Sequence, residues 1–287
     1  MSERLKFFTL NMLLKNFSNL KNKGFPRLAV FKEDGLSMKA LVEGFYELPF
    51  LLMLEKFVFN TLSEKRICLD IGANIGNHAT FFANKFQKVM AFEPNLRTFK
   101  LLEANAMLFS NIHVYNFGFS SSEHTEIAYY DEDNMGGASL HAASTSKLKT
   151  EFSLKTLDNF LTADQIKEID FIKIDVEGHE KEVFLGASNI LKNGNALICM
   201  EVLEHEIVNG TSESLNVLNG YGYNYIYEPI DTAPFATFSK ALAKLTNAFS
   251  VLLFDKKVLD NYKLQLVTSK LSKKKYDMLI IAKSKVI

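Results

Sequence analysis

From residue 66 onward, short apolar runs rich in strand formers alternate with stretches whose apolar positions recur every three to four residues. The runs are RICLDI (66–71), KVMAFE (88–93), IHVYNF (112–117), IDFIKID (169–175) and ALICMEV (196–202), with YNYIYE (223–228) and YDMLIIA (276–282) extending the series. Between them, Ile75, Ala79, Phe82 and Phe86 fall on one helical face, Phe99, Leu102, Ala106 and Phe109 on a second, and Val183, Phe184, Ala187 and Ile190 on a third. Strands that are apolar throughout are buried on both sides, and strands separated by helices pair in parallel. The expected fold class is therefore α/β, a mostly parallel sheet with helices on both faces. Residues 118–160 break the rhythm: they are polar and turn-rich, with one hairpin strand expected at TEIAYY (125–130) and a flexible stretch at DEDNMGGAS (131–139).

Two flanks surround this block. Residues 1–65 read as a helical N-terminal extension, in which LPFLLMLEKFVF (48–59) is strongly apolar on one face. Residues 66–287 read as one domain with an insertion at about 231–275, where Phe238, Leu242, Leu245, Phe249 and Leu252 mark an amphipathic helix. Both amphipathic segments suit a core or lid, with peripheral membrane contact as the second reading. The net charge of zero conceals a division: residues 66–230 carry 12 basic and 22 acidic side chains, whereas 231–287 carry 11 basic and 4 acidic. An acidic central block repels a phosphate backbone, so no nucleic acid partner is expected. The tail lysines Lys273, Lys274 and Lys275 suit a solvated loop or a weak attraction for an anionic acceptor. Cys68 and Cys199 both sit in apolar runs, which argues against a disulfide scaffold or a cysteine-built metal site. No uncharged apolar stretch reaches spanning length, and the first residues lack a signal-peptide pattern, so the expected location is cytoplasmic.

Ligands of parallel sheets sit beyond the carboxyl ends of the strands, so the polar residues there carry the chemistry. The first strand ends in Asp70-Ile71-Gly72-Ala73-Asn74-Ile75-Gly76. Gly72 and Gly76 permit a sharp turn and close approach to a ligand. The spacing is not that of a dinucleotide-binding loop, and the preceding Asp70 would repel a phosphate; it suits an ammonium or hydroxyl donors. Taken alone, the loop could be merely a tight turn. Glu93, 23 residues after Asp70 at the end of the second strand, can accept both hydrogens of a ribose diol; alone it could be a surface glutamate. Together the two acids suit a nucleoside with a cationic amino-acid tail, S-adenosylmethionine. The fourth strand runs into Asp175-Val176-Glu177-Gly178-His179-Glu180. Ionised groups at a buried strand exit need a purpose. Asp175, Glu177 or His179 could act as general base, or Asp175 and Glu177 with Glu201 could hold a divalent cation. Capping of the next helix by Asp175 or Glu177 is the plain structural explanation. His205, after Glu201 and Glu204, reads as an exposed loop histidine.

LDIGANIGNHATFFA, VMAFEPN, DFIKIDVEGHEKEVFLGA and ICMEV resemble, in order and spacing, the FkbM-type S-adenosylmethionine-dependent methyltransferases. The resemblance covers about residues 66–228, and the strand at 276–282 also fits. It implies the class I methyltransferase, Rossmann-like fold: a seven-stranded sheet in the order 3-2-1-4-5-7-6. It also implies O-methylation of a hydroxyl on a sugar, a capsular, lipopolysaccharide or nucleotide- or lipid-linked glycan, or a related small molecule. Asp70, Gly72, Asn74 and Gly76 would line the methionine end of the cofactor, with Asp175 nearby, and Glu93 would bind the ribose. The DVEGHE stretch maps onto Asp175, Glu177, Gly178, His179 and Glu180. Residues 1–60 and 231–275 match nothing in the family, and substrate choice usually resides in such additions.

A sulfonium methyl is already activated, so the enzyme chiefly aligns a nucleophile and removes its proton. His179 is the expected base, supported by Asp175 and Glu177, with no metal predicted. Gly136, Gly137 and His141 mark a mobile acceptor-side loop. A non-catalytic nucleoside-binding subunit of a glycan-assembly complex is the alternative, though such a subunit has no need of Asp70, Gly72, Gly76 and Glu93 together. The sequence leaves the oligomeric state open.

Overall fold

The computed structural model describes residues 8, 25–31, 36, 37, 39, 40, 44–131, 134–140, 148–231, 262–267, 271 and 276–285. In chain order the strands are β1 (Ile67–Ile71), β2 (Lys88–Phe92), β3 (Ile112–Tyr115), β4 (Gly118–Phe119), β5 (His124–Asp131) and β6 (Asn134–Ser139). They continue as β7 (Leu148–Lys155), β8 (Ile169–Ile174), β9 (Leu197–Val202), β10 (Tyr225–Asp231), β11 (Tyr262–Leu266) and β12 (Tyr276–Ala282). The main sheet runs β11-β10-β12-β9-β8-β1-β2-β3. From β9 to β3 all pairings are parallel. β12 lies antiparallel between β9 and β10, and β11 is antiparallel to β10 at the edge.

The expected seven strands in the order 3-2-1-4-5-7-6 are thereby corrected. The sheet has eight strands, and β11, from the stretch expected to be a plain insertion, takes the edge beyond β10. Its sequence, YKLQL, alternates in burial as an edge strand with one covered face does. The amphipathic positions Phe238 to Leu252 and Lys273 to Lys275 lie outside the described residues. A second correction concerns 118–160, where β4-β7-β5-β6 form a four-stranded sheet of their own. LKTEFSLK alternates, and β7 pairs with β5 from His124↔Leu154 to Tyr130↔Leu148. The stretch expected to be flexible contributes β6.

The helices are α1 (Leu48–Phe57), α2 (Asn77–Phe82), α3 (Leu96–Ala106), α4 (Leu157–Phe160), α5 (Ala163–Glu168), α6 (Glu180–Leu185), α7 (Ser188–Asn193) and α8 (Glu213–Gly220). Every residue of β1 is buried, because successive side chains enter opposite layers. On one face Cys68, Val89, Phe171 and Cys199 pack with Leu51 and Leu54 of α1 and with Phe59 and Phe82. On the other, Leu69, Ile71, Ile172 and Ile174 pack with α6, α7 and α8 through Val183, Phe184, Ile190 and Leu218. Each fully buried side chain of this size contributes about 2–3 kcal/mol. Phe59 meets Phe82, Phe86 and Phe171 edge-on at 5.8, 5.1 and 5.0 Å, locking the segment after α1 against the sheet.

The N-terminal region is held in a second way. Asn77 Oδ1 accepts from Tyr46 N–H at 2.8 Å while its Nδ2 donates to Tyr46 O at 3.0 Å. Asn105 treats Ala29 likewise, at 2.6 and 2.9 Å, and also donates to Ile75 O at 2.7 Å. A side-chain amide carries one acceptor and a donor pair, and so can face a backbone residue as a neighbouring strand would. Of the helical extension expected over 1–65, α1, a 3₁₀ turn at Phe59–Thr61 and the described residues 8, 36, 37, 39 and 40 are helical, whereas residues 25–31 have no regular secondary structure. Among the described residues no helix is long and apolar enough to cross a membrane.

Candidate functional site

Beyond the carboxyl ends of β1, β2 and β8 lies a hollow open to solvent, in the place where parallel α/β sheets bind their ligands. Its floor includes Gly72, Asn74, Glu93, Lys173, Asp175 and His179. Phe119, Phe152 and Leu154 of the second sheet form an apolar wall. Tyr46 and the start of α2, at Asn77 and His78, close the opposite side.

Asp70 is 0% exposed, and neither of its carboxylate oxygens has a hydrogen-bond partner. Its nearest cation is Lys173 on β8, aligned with Asp70 across the sheet and 3% exposed. Lys173 Nζ lies 3.6 Å from Asp70 Oδ1, 3.1 Å from Asp175 Oδ2 and 3.2 Å from Gly72 O. Burial works against its charge, but Asp175 and Asp70 outweigh that and hold the ammonium above the usual lysine range. Sequence reasoning passed over Lys173, although a lysine inside a strand read as buried on both sides was itself a signal.

The turn after β1 uses its glycines for different ends. Gly72 has φ +77°, and a Cβ there would fall 1.8 Å from Asp175 O, so the two strand exits touch backbone to backbone. Gly76, at φ +84°, sits under Leu102 of α3 and is the N-cap of α2; it does not line the hollow. Asn74, left-handed at φ +51°, donates its N–H to Glu93 Oε2 at 3.0 Å, and Asn95 N–H donates to Oε1 at 2.8 Å. Glu93 is thus an inward-facing carboxylate rather than a surface one. Burial lifts its carboxyl to about 7, against the pull of the two amides.

At the β8 exit, Glu177 and Gly178 are consecutive left-handed residues, at φ +55° and +95°. Glu177 is exposed at the rim, whereas His179 is 6% exposed with Nε2 3.0 Å from Ser120 Oγ. The N-cap of α6 is His179, whose own side chain makes no capping hydrogen bond. Glu180 is buried, accepts Val176 N–H at 3.1 Å and is pushed by burial to about 8; its Oε2 has no hydrogen-bond partner. Gly72, Asn74, Glu93, Asp175, Glu177 and His179 are therefore brought together around one hollow, whereas Asp70 is buried beside Lys173 and is not part of its lining. Among the described residues no group of three or more His, Cys, Asp or Glu could hold a metal ion, so Asp175, Glu177 and Glu201 do not assemble as one. His205 is exposed on a 3₁₀ turn, Gly136 and Gly137 belong to β6, and His141 lies outside the described residues. Both cysteines are buried free thiols, raised by desolvation.

The architecture is that of the mostly parallel α/β proteins whose site opens at the strand ends. The family model for the methyltransferase FkbM domain matches residues 70–225, more than half of the chain, and the chain belongs to this family. The hexuronic acid methyltransferase AglP of Haloferax volcanii is 31% identical over 148 residues, which cover 50% of this chain and 59% of that protein. This chain therefore spans less than two thirds of that relative. Among solved structures, the FkbM methyltransferase of Methylobacillus flagellatus has a TM-score of 0.42 at 17% identity, covering 74% of this chain and 54% of that one. The precorrin-6y C5,15-methyltransferase of Geobacter metallireducens has a TM-score of 0.41 at 12% identity, covering 90% and 93%.

Proposed function

We propose that the protein is an S-adenosylmethionine-dependent O-methyltransferase acting on a hydroxyl of a sugar or glycan. The observation that carries this reading is the pair of strand-end carboxylates: Glu93, which lines the hollow with lone pairs left beyond its two amide partners, and Asp70, buried one strand away beside Lys173 with no hydrogen-bond donor on either oxygen. Buried acceptors without donors are rare in folded proteins and fit a ligand that brings the donors. An amino-acid ammonium fits Asp70, and a ribose diol fits the remaining lone pairs of Glu93. Gly72 and Asn74 shape the turn between them, with Gly76 setting the start of α2, and Asp175 with Lys173 completes the floor. When bound, the cofactor supplies a methyl group already activated by its sulfonium.

In this reading His179 receives the proton of the acceptor hydroxyl. His179 Nε2 lies 3.0 Å from Ser120 Oγ; the tautomer that donates from Nε2 to this oxygen is the one that leaves the Nδ1 lone pair for the proton. Asp175 and Glu177 favour the imidazolium that results. Residues 66–287 would form the catalytic domain, with 1–65 covering its acceptor side. AglP acts on a hexuronic acid by its name, which makes uronic acid sugars the first acceptors to try. Calorimetric titration with S-adenosylmethionine and NADH, each with and without Mg²⁺, tests the reading. Saturable binding of the sulfonium without Mg²⁺ is expected; binding of NADH alone, or of neither, would overturn it.

A further inference from the structure

Resting on that reading, we propose that Glu47 and His78 form a hydroxyl-binding subsite, which holds a second hydroxyl of the sugar beside the one that reacts. His78 lines the hollow yet is 7% exposed, and its Nε2 has no hydrogen-bond partner. Glu47, next to the lining residue Tyr46, has its Oε2 3.6 Å from that nitrogen, longer than a good hydrogen bond. From beside the two, a single group can accept from the ring nitrogen and donate to the carboxylate. A hydroxyl does both. Pairs of this kind are often loose without substrate and tighten around it.

Several features show the pair to be built rather than incidental. Glu47 has φ +57°, uncommon for a glutamate and maintained only where the surroundings impose it. Those surroundings are on both sides of it: Tyr46 is clamped by Asn77, and α1 begins at Leu48. His78 is fixed by stacking on Phe82 at 6.0 Å. Burial would raise the Glu47 carboxyl, but His78 and, more weakly, Lys173 hold it below its ordinary value despite opposition from Asp175. His78 lines the same hollow as Asp175 and His179 at the β8 exit, where the reacting hydroxyl would be. Glu47 also lies outside the region matched to the family, residues 70–225. A ring bearing adjacent hydroxyls is the ligand this geometry fits.

The test uses the full chain with p-nitrophenyl β-D-glucuronide and its monodeoxy analogues as acceptors. His78→Ala and Glu47→Gln should raise KM for the parent sugar roughly tenfold, the worth of one hydrogen bond to a charged group. The kcat should stay within about threefold, and calorimetric affinity for S-adenosylhomocysteine within about twofold. One deoxy analogue should cost the wild type about tenfold in kcat/KM while His78→Ala treats it like the parent, which a merely structural histidine would not produce. An unchanged KM in both variants, a loss confined to kcat, or discrimination surviving in His78→Ala would overturn the subsite. A wild type that binds the cofactor but methylates none of these sugars would instead remove the reading beneath it. Should His78→Ala not fold, Glu47→Gln, half-exposed at its carboxylate, reads the same pair.

Discussion

The proposed role of Glu93 in holding the ribose makes a test of pH dependence direct: cofactor affinity should change with pH. Its carboxyl lies at about 7 because burial outweighs the two backbone amides that hold it, so at pH 5.5 only about one site in thirty carries the charge. A ribose diol donates to the ionised form, and binding should return the group toward its ordinary value of 4.5. Ligand binding then releases a proton below pH 7, and affinity rises with pH. Between pH 5.5 and 8 the gain is about 25-fold, or about 2 kcal/mol. The assay is calorimetric titration with S-adenosylhomocysteine across that range, in paired buffers of different ionisation enthalpy. About one proton should leave per ligand bound at pH 5.5, and Glu93→Gln should show no slope. Affinity constant within twofold, without proton release, would refute the role of Glu93.

Three further outcomes are expected. Gly72→Ala combines a left-handed conformation costing about 1–2 kcal/mol with a Cβ 1.8 Å from Asp175 O; a thermal melt should fall by at least about 6 °C and cofactor binding should vanish. Lys173→Met leaves Asp70 and Asp175 facing each other without a cation, costing about 3–5 kcal/mol by denaturant titration, and Asp70→Asn in the same chain should recover part of the loss. Glu180, raised to about 8, holds its proton more tightly folded than unfolded. Its contribution is therefore complete below about pH 4.5 and is lost as pH rises through about 8, an effect of order 3–5 kcal/mol. Urea titrations at pH 6 and 9 should show a smaller difference in Glu180→Gln.

The core strands and the strand-end acids were legible because each is written in a few consecutive residues. ICLDI is apolar enough to be buried on both faces, and an acid at its end followed by glycine has few structural explanations. What was not legible depends on contacts distant in sequence. YKLQL reads as an edge strand only once β10 is beside it, and LKTEFSLK is too polar to stand out before it pairs with β5. Lys173 shows its role only across the sheet from Asp70. The Glu47–His78 pair joins residues 31 positions apart, and no local pattern marks either.

The position of β12 has a consequence for how the protein is made. Its partners, β9 and β10, are complete by residue 231, yet the strand that joins them begins at Tyr276. Until it is synthesised, the nascent chain carries two sheet edges facing an empty lane, each able to capture a strand from another molecule. Interruption of translation anywhere in the intervening stretch would therefore yield a sticky half-sheet rather than a smaller enzyme, and chaperone demand should peak over those codons.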